Sequence, residues 1–300
     1  GMLWYTNRWV PLARFSRESF RSLFSFGSRL LLSNLIDTLY NNVFLLIIGK
    51  FYSASQLGFF TRADQFSRLV SKNLTGTVQR VSYPVLSQVQ DENARLKDGY
   101  RKIIMATMYV TFTLMLGMAA FSESMIVTLI GKKWLPAVQF LQLLCLAAML
   151  YPLQALNLNI FNIKGRTDIM LRLEIVKKLL AVPVIIAGIY AGIMWLLAGM
   201  VLHSLLCYFI NAYYSGRLIG YSVREQLADI FPSFLVALLV AIPVYALRFV
   251  PGLPQPVILV LQASLLLVMT VLLAKRLRLQ GYIEIRSIVL GKLPSLKRWL

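Results

Sequence analysis

Apolar runs of helical length alternate with short polar breaks along the whole chain. The runs cover about residues 22–49, 55–88, 100–121, 137–162, 168–190, 193–215, 228–247 and 257–274. A helix crossing the hydrocarbon core of a bilayer needs about 20 residues, and these runs are of that order. The breaks carry matching punctuation. In GKKWLP (131–136), Pro136 suits the first turn of the next helix. Gly165 stops one helix, and Thr167 and Asp168 cap the next. Gly192 parts two further runs, and PGLPQP (251–256) turns the chain into the last. The expected fold class is all-α: a polytopic membrane protein with about eight transmembrane helices. Residues 1–21, rich in Trp, Tyr and Arg, suit a basic interfacial linker, and 277–300 form a basic tail.

Composition agrees with that class. The chain is 58% hydrophobic and 14% charged, with mean hydropathy +0.68. A soluble domain carries nearer a quarter charged residues. The net charge of +19 changes meaning accordingly. On a soluble protein it points to nucleic acid. On a membrane protein it reports topology and anionic headgroups, so no nucleic-acid partner is expected. Lys and Arg concentrate in the lead-in, in the second, fourth and sixth links and in the tail. Opposite them stand only Lys50, Lys132, Lys133 and Arg248. That bias predicts both termini on the cytoplasmic side of the membrane. Cys145 and Cys207 lie in apolar runs without metal or redox spacing.

One run breaks the apolar pattern. Thr61–Tyr83 carries Arg62, Asp64, Arg68, Lys72 and Arg80. At about 100° per residue, Arg62, Gln65, Arg68, Lys72, Gln79, Arg80 and Tyr83 share roughly a third of the circumference. Ala63, Phe66, Val70, Leu74, Val78 and Val81 occupy most of the other side. A cationic stripe inside a membrane cannot face lipid. It faces a wet cavity, other protein or an anionic ligand. Contact with an anionic substrate and internal pairing with acids or headgroups both fit.

Other polar positions are candidates of a second kind. Asn34, Asp37, Thr38 and Asn41 share one side of the first run, with the acid near mid-membrane. Asp37 suits either an ion-coupling site or an ion pair that fixes packing. Gln154, Asn157, Asn159 and Asn162 suit interhelical glue, or sugar hydroxyls. Glu174, Lys177 and Lys178 read as a solvated flank, and His203 as a packed core histidine. No GxxxxGK[ST], HExxH or GxSxG motif occurs, so neither nucleotide hydrolysis nor another enzyme activity is expected.

Five motifs in order carry a family resemblance. They are FG followed by Asn34, Asn42 and LLIIGK up to Lys50, then LGFFTRADQ (57–65), VSYPVLSQVQD (81–91), GKKWLPAVQFLQLLCL (131–146) and KGRTD (164–168). Over roughly residues 14–220 the chain resembles the second half of Wzx-like lipopolysaccharide and exopolysaccharide flippases, within the multidrug/oligosaccharidyl-lipid/polysaccharide superfamily. One departure is visible. The family often has an acid where this chain has Val43 or Phe44, which leaves Asp37 as the nearest acid.

The resemblance implies two six-helix bundles facing each other across a cavity, with two additional helices. Residues 22–216 are then the second bundle and 217–276 the additional pair. Eight spans in place of fourteen, and Gly1 ahead of Met2, imply a fragment or truncated reading frame whose first bundle is a missing partner. The implied function is alternating-access transport of a polyprenyl-pyrophosphate-linked oligosaccharide. Arg62, Arg68, Lys72, Gln79, Arg80, Asn34 and Asn41 are its expected substrate contacts and Asp37 its coupling acid. Membrane lipids are the other partner, and no cofactor or metal is expected. The alternatives are a peptidoglycan-precursor flippase or another transporter of the superfamily. A membrane polysaccharide polymerase is an alternative of another class, but the outward loops are short and poor in catalytic residues.

Overall fold

A computed structural model of the chain describes residues 42–292 together with Ser16, Arg17, Phe20, Arg21 and Phe24. The chain divides into two compact units, Gly1–Ile47 and Ile48–Leu300. Helix α1 is Val43–Phe51, and α2 is Ala54–Ser87. Helices α3 (Asn93–Ala120) and α4 (Ser122–Ile130) follow, then a 3-10 turn at Lys132–Trp134. Next come α5 (Ala137–Ala148), α6 (Tyr151–Ile163), α7 (Thr167–Ala191) and α8 (Ile193–Ile219). The chain continues through α9 (Val223–Ala246), α10 (Gln255–Arg276) and α11 (Gln280–Lys292). No strand occurs among the described residues.

Most of the punctuation does what its chemistry requires, but Thr167 and Asp168 are the first residues of α7 rather than its cap: the N-cap is Arg166, with no side-chain cap hydrogen bond. Ser53 and Ser222 each form a capping box, with Gln56 and Glu225, so α2 and α9 start where their first free N–H groups find acceptors. Gly192 takes φ +101°, and with no Cβ it turns α7 directly into α8. The run expected over 137–162 is two helices, α5 and α6, meeting at Met149–Leu150, with Pro152 in the first turn of the second. The basic stretch after 277 contains α11, which hydropathy does not predict.

The chain is a multi-pass membrane protein. Asn93–Ala120, Ala137–Ile163, Ile193–Ile219, Val223–Phe249 and Gln255–Arg276 are long and apolar enough to cross a membrane. The count of eight is not reached on that measure. The second and fifth runs exist as α2 and α7 but are too rich in polar and charged residues. Most of the first lies outside the described residues. Exposed Leu179, Ile186, Trp195, Ile242, Val260 and Leu267 suit contact with lipid.

Helix α3 is the centre of the second unit. Its Tyr100, Ile104, Met108 and Phe112 pack with Leu153, Leu156 and Ile160 of α6 and with Tyr208 of α8. Helix α9 lies along α3, α10 packs on α9, and α11 packs on α3. The last contact is close. A Cβ on Gly281 would lie 2.4 Å from the Met105 carbonyl oxygen, and the Tyr109 and Tyr282 rings meet edge to face. The C-terminal helices are thus packed onto the bundle through its central helix.

Candidate functional site

Helix α2 presents two unlike faces. The buried one is Phe60, Ala63, Ser67, Ser71, Thr75, Ser82 and Leu86. It is not the larger apolar set that periodicity alone selects. Val81 is 66% exposed and Leu69 65%. Small side chains win the buried face because, in lipid, helices gain by close backbone approach more than by burying bulk. The hydroxyls of Ser67, Ser71 and Thr75 satisfy themselves within the helix or against a neighbour, whereas Ser82 Oγ has no partner among the described residues. Thr75 Oγ1 donates to the Ser71 carbonyl at 2.7 Å, and Ser67 Oγ to the Leu144 carbonyl of α5 at 3.3 Å.

The cations lie on the open side, where each has different company. Arg62 donates from Nη1 to Gln65 Oε1 at 3.0 Å and stands 5.5 Å from the Trp134 ring. Arg68 pairs with Asp64 at 2.6 Å, one helical turn away. Lys72 is exposed and makes no hydrogen bond or ion pair among the described residues. Arg80 is exposed, and its Nε donates to the Gly76 carbonyl of its own helix at 3.0 Å. Arg62, Lys72 and Arg80 thus have no carboxylate partner among the described residues. At about 1.5 Å per residue, Lys72 lies ~15 Å from Arg62 and ~12 Å from Arg80 along the axis.

Gln79 does not join them. Its amide turns inward and donates to Asn159 Oδ1 of α6 at 3.4 Å. The rest of the expected site (Asn34, Asp37 and Asn41) lies outside the described residues.

The amides of α6 behave as glue. Asn157 is fully buried and accepts from Tyr100 of α3 at 2.9 Å and from Ser215 of α8 at 2.5 Å. Gln154 donates to the carbonyl and hydroxyl of Ser204 at 3.0 and 3.1 Å. These bonds tie α3, α6 and α8 together.

Two charged groups behave unlike their sequence reading. Lys177 is not part of a solvated flank. It is 7% exposed and paired with Glu174. At one end of α3, Lys97 meets Glu225 of α9 at 2.8 Å, and Arg101 takes both oxygens of Asp229 at 2.5 and 2.6 Å. Tyr221 donates to the same carboxylate at 2.6 Å. This clamp was legible only as a shared spacing of four residues in Lys97/Arg101 and Glu225/Asp229. No cluster that could hold a metal occurs among the described residues.

Comparison with known proteins agrees with this picture. Residues 1–139 match the family described as polysaccharide biosynthesis protein. The teichuronic acid biosynthesis protein TuaB of Bacillus subtilis is 30% identical over 165 residues, 55% of this chain and 34% of that one. The lipopolysaccharide biosynthesis protein WzxC of Escherichia coli is 24% identical over 245 residues, 80% of this chain and 49% of that one. The chain therefore spans half or less of the length of these relatives. Among solved structures, the lipid II flippase MurJ in an inward closed conformation has the same fold, with TM-score 0.68 at 13% identity. That match covers 88% of this chain and 57% of MurJ. These likenesses bear out the resemblance to Wzx-like polysaccharide flippases.

Proposed function

We propose that this chain, like the polysaccharide flippases it resembles, moves a polyprenyl-pyrophosphate-linked oligosaccharide across the bacterial inner membrane by alternating access. The observation that carries the reading is the open face of α2. Arg62, Lys72 and Arg80 stand there without carboxylate partners, on a helix packed among apolar ones. An unpaired cation in a membrane protein costs free energy unless it faces water or meets an anion. A pyrophosphate headgroup is such an anion, and charge-assisted hydrogen bonds from the three side chains offset its own desolvation. Their ~27 Å spread along α2 matches the ~30 Å thickness of the hydrocarbon layer, so they serve as successive stations. Arg80 lies at the cytoplasmic end and Arg62 at the outer end, with the prenyl tail left in lipid. A second bundle supplies the opposite wall of the cavity. The driving force comes from an ion gradient or the membrane potential, and Asp37 is the coupling acid of the first run. No step of this scheme calls for catalytic chemistry.

The test is binding of a fluorescent polyprenyl-pyrophosphate glycolipid to the chain in nanodiscs. Lys72→Gln is expected to weaken binding about tenfold, one charge-assisted contact. The uncharged polyprenyl alcohol is expected to bind equally to both. Equal glycolipid affinity of parent and variant would sink the assignment.

A further inference from the structure

Away from α2, a second group of cations gathers where α10 ends. Helix α10 is 22 residues long, or ~33 Å, so it just crosses a ~30 Å hydrocarbon layer and its ends reach the headgroups. Its C-terminal end carries Lys275, Arg276, Leu277 and Arg278, all exposed. Helix α11 starts at Gln280. Its Gly281 and Tyr282 are buried, whereas Ile283 and Arg286 are exposed. Helix α3 marks the same level independently. Gly281 packs against Met105, one turn beyond Lys102, which is the last charged residue of α3. The elbow between α10 and α11 therefore lies where both α3 and α10 pass from apolar to charged sequence.

The backbone of the elbow is unusual. Leu279 N–H donates to the Ala274 carbonyl at 3.0 Å, and Arg278 N–H to the Lys275 carbonyl at 3.4 Å. That pair of bonds closes a helix around a left-handed residue, most often glycine. Here the residue is Arg278, at φ +50°. Every other described residue with positive φ is a glycine. A Cβ is disfavoured in that conformation, so glycine makes this turn with less strain. What arginine adds is its side chain. Yet the side chains of Lys275, Arg276, Arg278 and Arg286 make no hydrogen bond or ion pair among the described residues. Lys275 and Arg276 offset the negative end of the α10 dipole. Arg286, on the next helix, has no such use. Glu284 is the only acid between Lys275 and Ser287, is half-buried and pairs with none of the four. On α3, Lys102 and Asp98 pair with each other at 2.7 Å.

We infer that Lys275, Arg276, Arg278 and Arg286 form a binding site for the headgroup of an anionic phospholipid. Basic residues just beyond a membrane-crossing helix are drawn to anionic headgroups, and guanidinium groups match phosphate oxygens with paired donors. Apolar side chains stand among the cations: Leu277 is 56% exposed and Ile283 41%. They suit the acyl chains of a lipid and have no use for a soluble phosphate. A headgroup held there joins the end of α10 to α11. Because α11 packs on α3, the lipid braces the C-terminal helices against the central helix of the bundle. The site is separate from α2 and does not depend on the transport reading.

A local probe tests it. Ser287 is exposed beside Arg286, and both native cysteines are buried, so Ser287→Cys takes a fluorophore selectively. The labelled full chain is placed in phosphatidylcholine nanodiscs with increasing fractions of brominated phosphatidylglycerol or brominated phosphatidylcholine. Half-maximal quenching is expected at an about tenfold lower fraction of the anionic lipid. Arg278→Gly with Arg286→Gln is expected to bring the two lipids within about twofold of each other, with no fall in thermal midpoint, since glycine suits the turn. Arg286→Gln alone leaves the elbow's backbone untouched and is expected to lower the preference about threefold. Equal quenching by the two lipids in the parent, or a preference that survives the double variant, would overturn the site. So would displacement of the anionic lipid by inorganic phosphate, which would mark a site for a soluble anion. A preference lost equally on changing Arg62, Lys72 and Arg80 to Gln would trace it to the charge of the whole chain and also refute the site.

Discussion

Helices α2 and α3 carry the same kinds of cation and spend them differently. On α3, Arg95 meets Glu92, Lys97 meets Glu225, Arg101 meets Asp229 and Lys102 meets Asp98. On α2, Arg68 meets Asp64, while Arg62, Lys72 and Arg80 meet no carboxylate among the described residues. Two of the α3 pairs reach across to α9 and hold the C-terminal helices to the bundle. None of the α2 cations pairs with a carboxylate of another helix among the described residues. A matched charge at a helix contact supports the fold, whereas an unmatched one on an open face is free to meet something outside it. Position in the sequence does not separate these roles, because both helices intersperse cations with apolar residues.

The contrast can be broken most strongly from the α2 side. Neutralising Arg62, Lys72 and Arg80 together with Gln is expected to lower glycolipid affinity about a hundredfold, two or more charge-assisted contacts. The same variant is expected to keep its unfolding free energy within about 0.5 kcal/mol, because surface changes away from packing cost little. A large stability loss would mean that these side chains are structural after all.

On the α3 side the expectation reverses. Asp229→Leu leaves the Arg101 guanidinium and the Tyr221 hydroxyl without their shared acceptor. It is expected to cost about 2–3 kcal/mol in denaturation from mixed micelles, with glycolipid affinity unchanged. A fold as stable as the parent would show the clamp to be incidental.

A third change converts one helix toward the other. Gly76→Glu sets a carboxylate four residues from both Lys72 and Arg80, and a Cβ at Gly76 meets only the end of the Arg80 side chain, at 3.9 Å. Glycolipid affinity is expected to fall about tenfold while stability rises by about 0.5 kcal/mol from the lost glycine. A variant that binds as the parent does would separate affinity from free charge on α2.

Gly281→Ala tests the other contact that secures the C-terminal helices, since its Cβ would meet the Met105 carbonyl oxygen. Loss of about 1–2 kcal/mol is expected, with faster proteolysis after Lys275 as the local readout. The smallest effect belongs to Arg68→Gln. An i,i+4 pair that is partly exposed contributes about 0.3–0.5 kcal/mol, and hydrogen exchange along α2 is sensitive enough to detect it.

Much of this architecture was legible in the residues. The glycines at 165 and 192 and the prolines around 251–256 mark helix ends by local chemistry, which tertiary packing did not override. The cations of α2 were legible too, since charge is rare in such a chain. What was not legible was which way the faces turn. Gln79 shares the helical arc of Lys72 yet binds Asn159, and Lys177 beside Lys178 is buried with Glu174.

The sequence by itself therefore determined the class, the helix ends and the presence of charge in the apolar zone, because these depend on a residue and its near neighbours along the chain. Only the tertiary structure decided which charges are matched, which face of α2 is buried and that α11 docks on α3. The physical reason is the solvent. In water, apolarity marks the inside of a protein, so periodicity reveals the core. In lipid both inside and outside are apolar, and small or polar residues mark the packed face as often as large ones do. Partners for the charges then come from other helices, and a single helix's pattern carries no record of them.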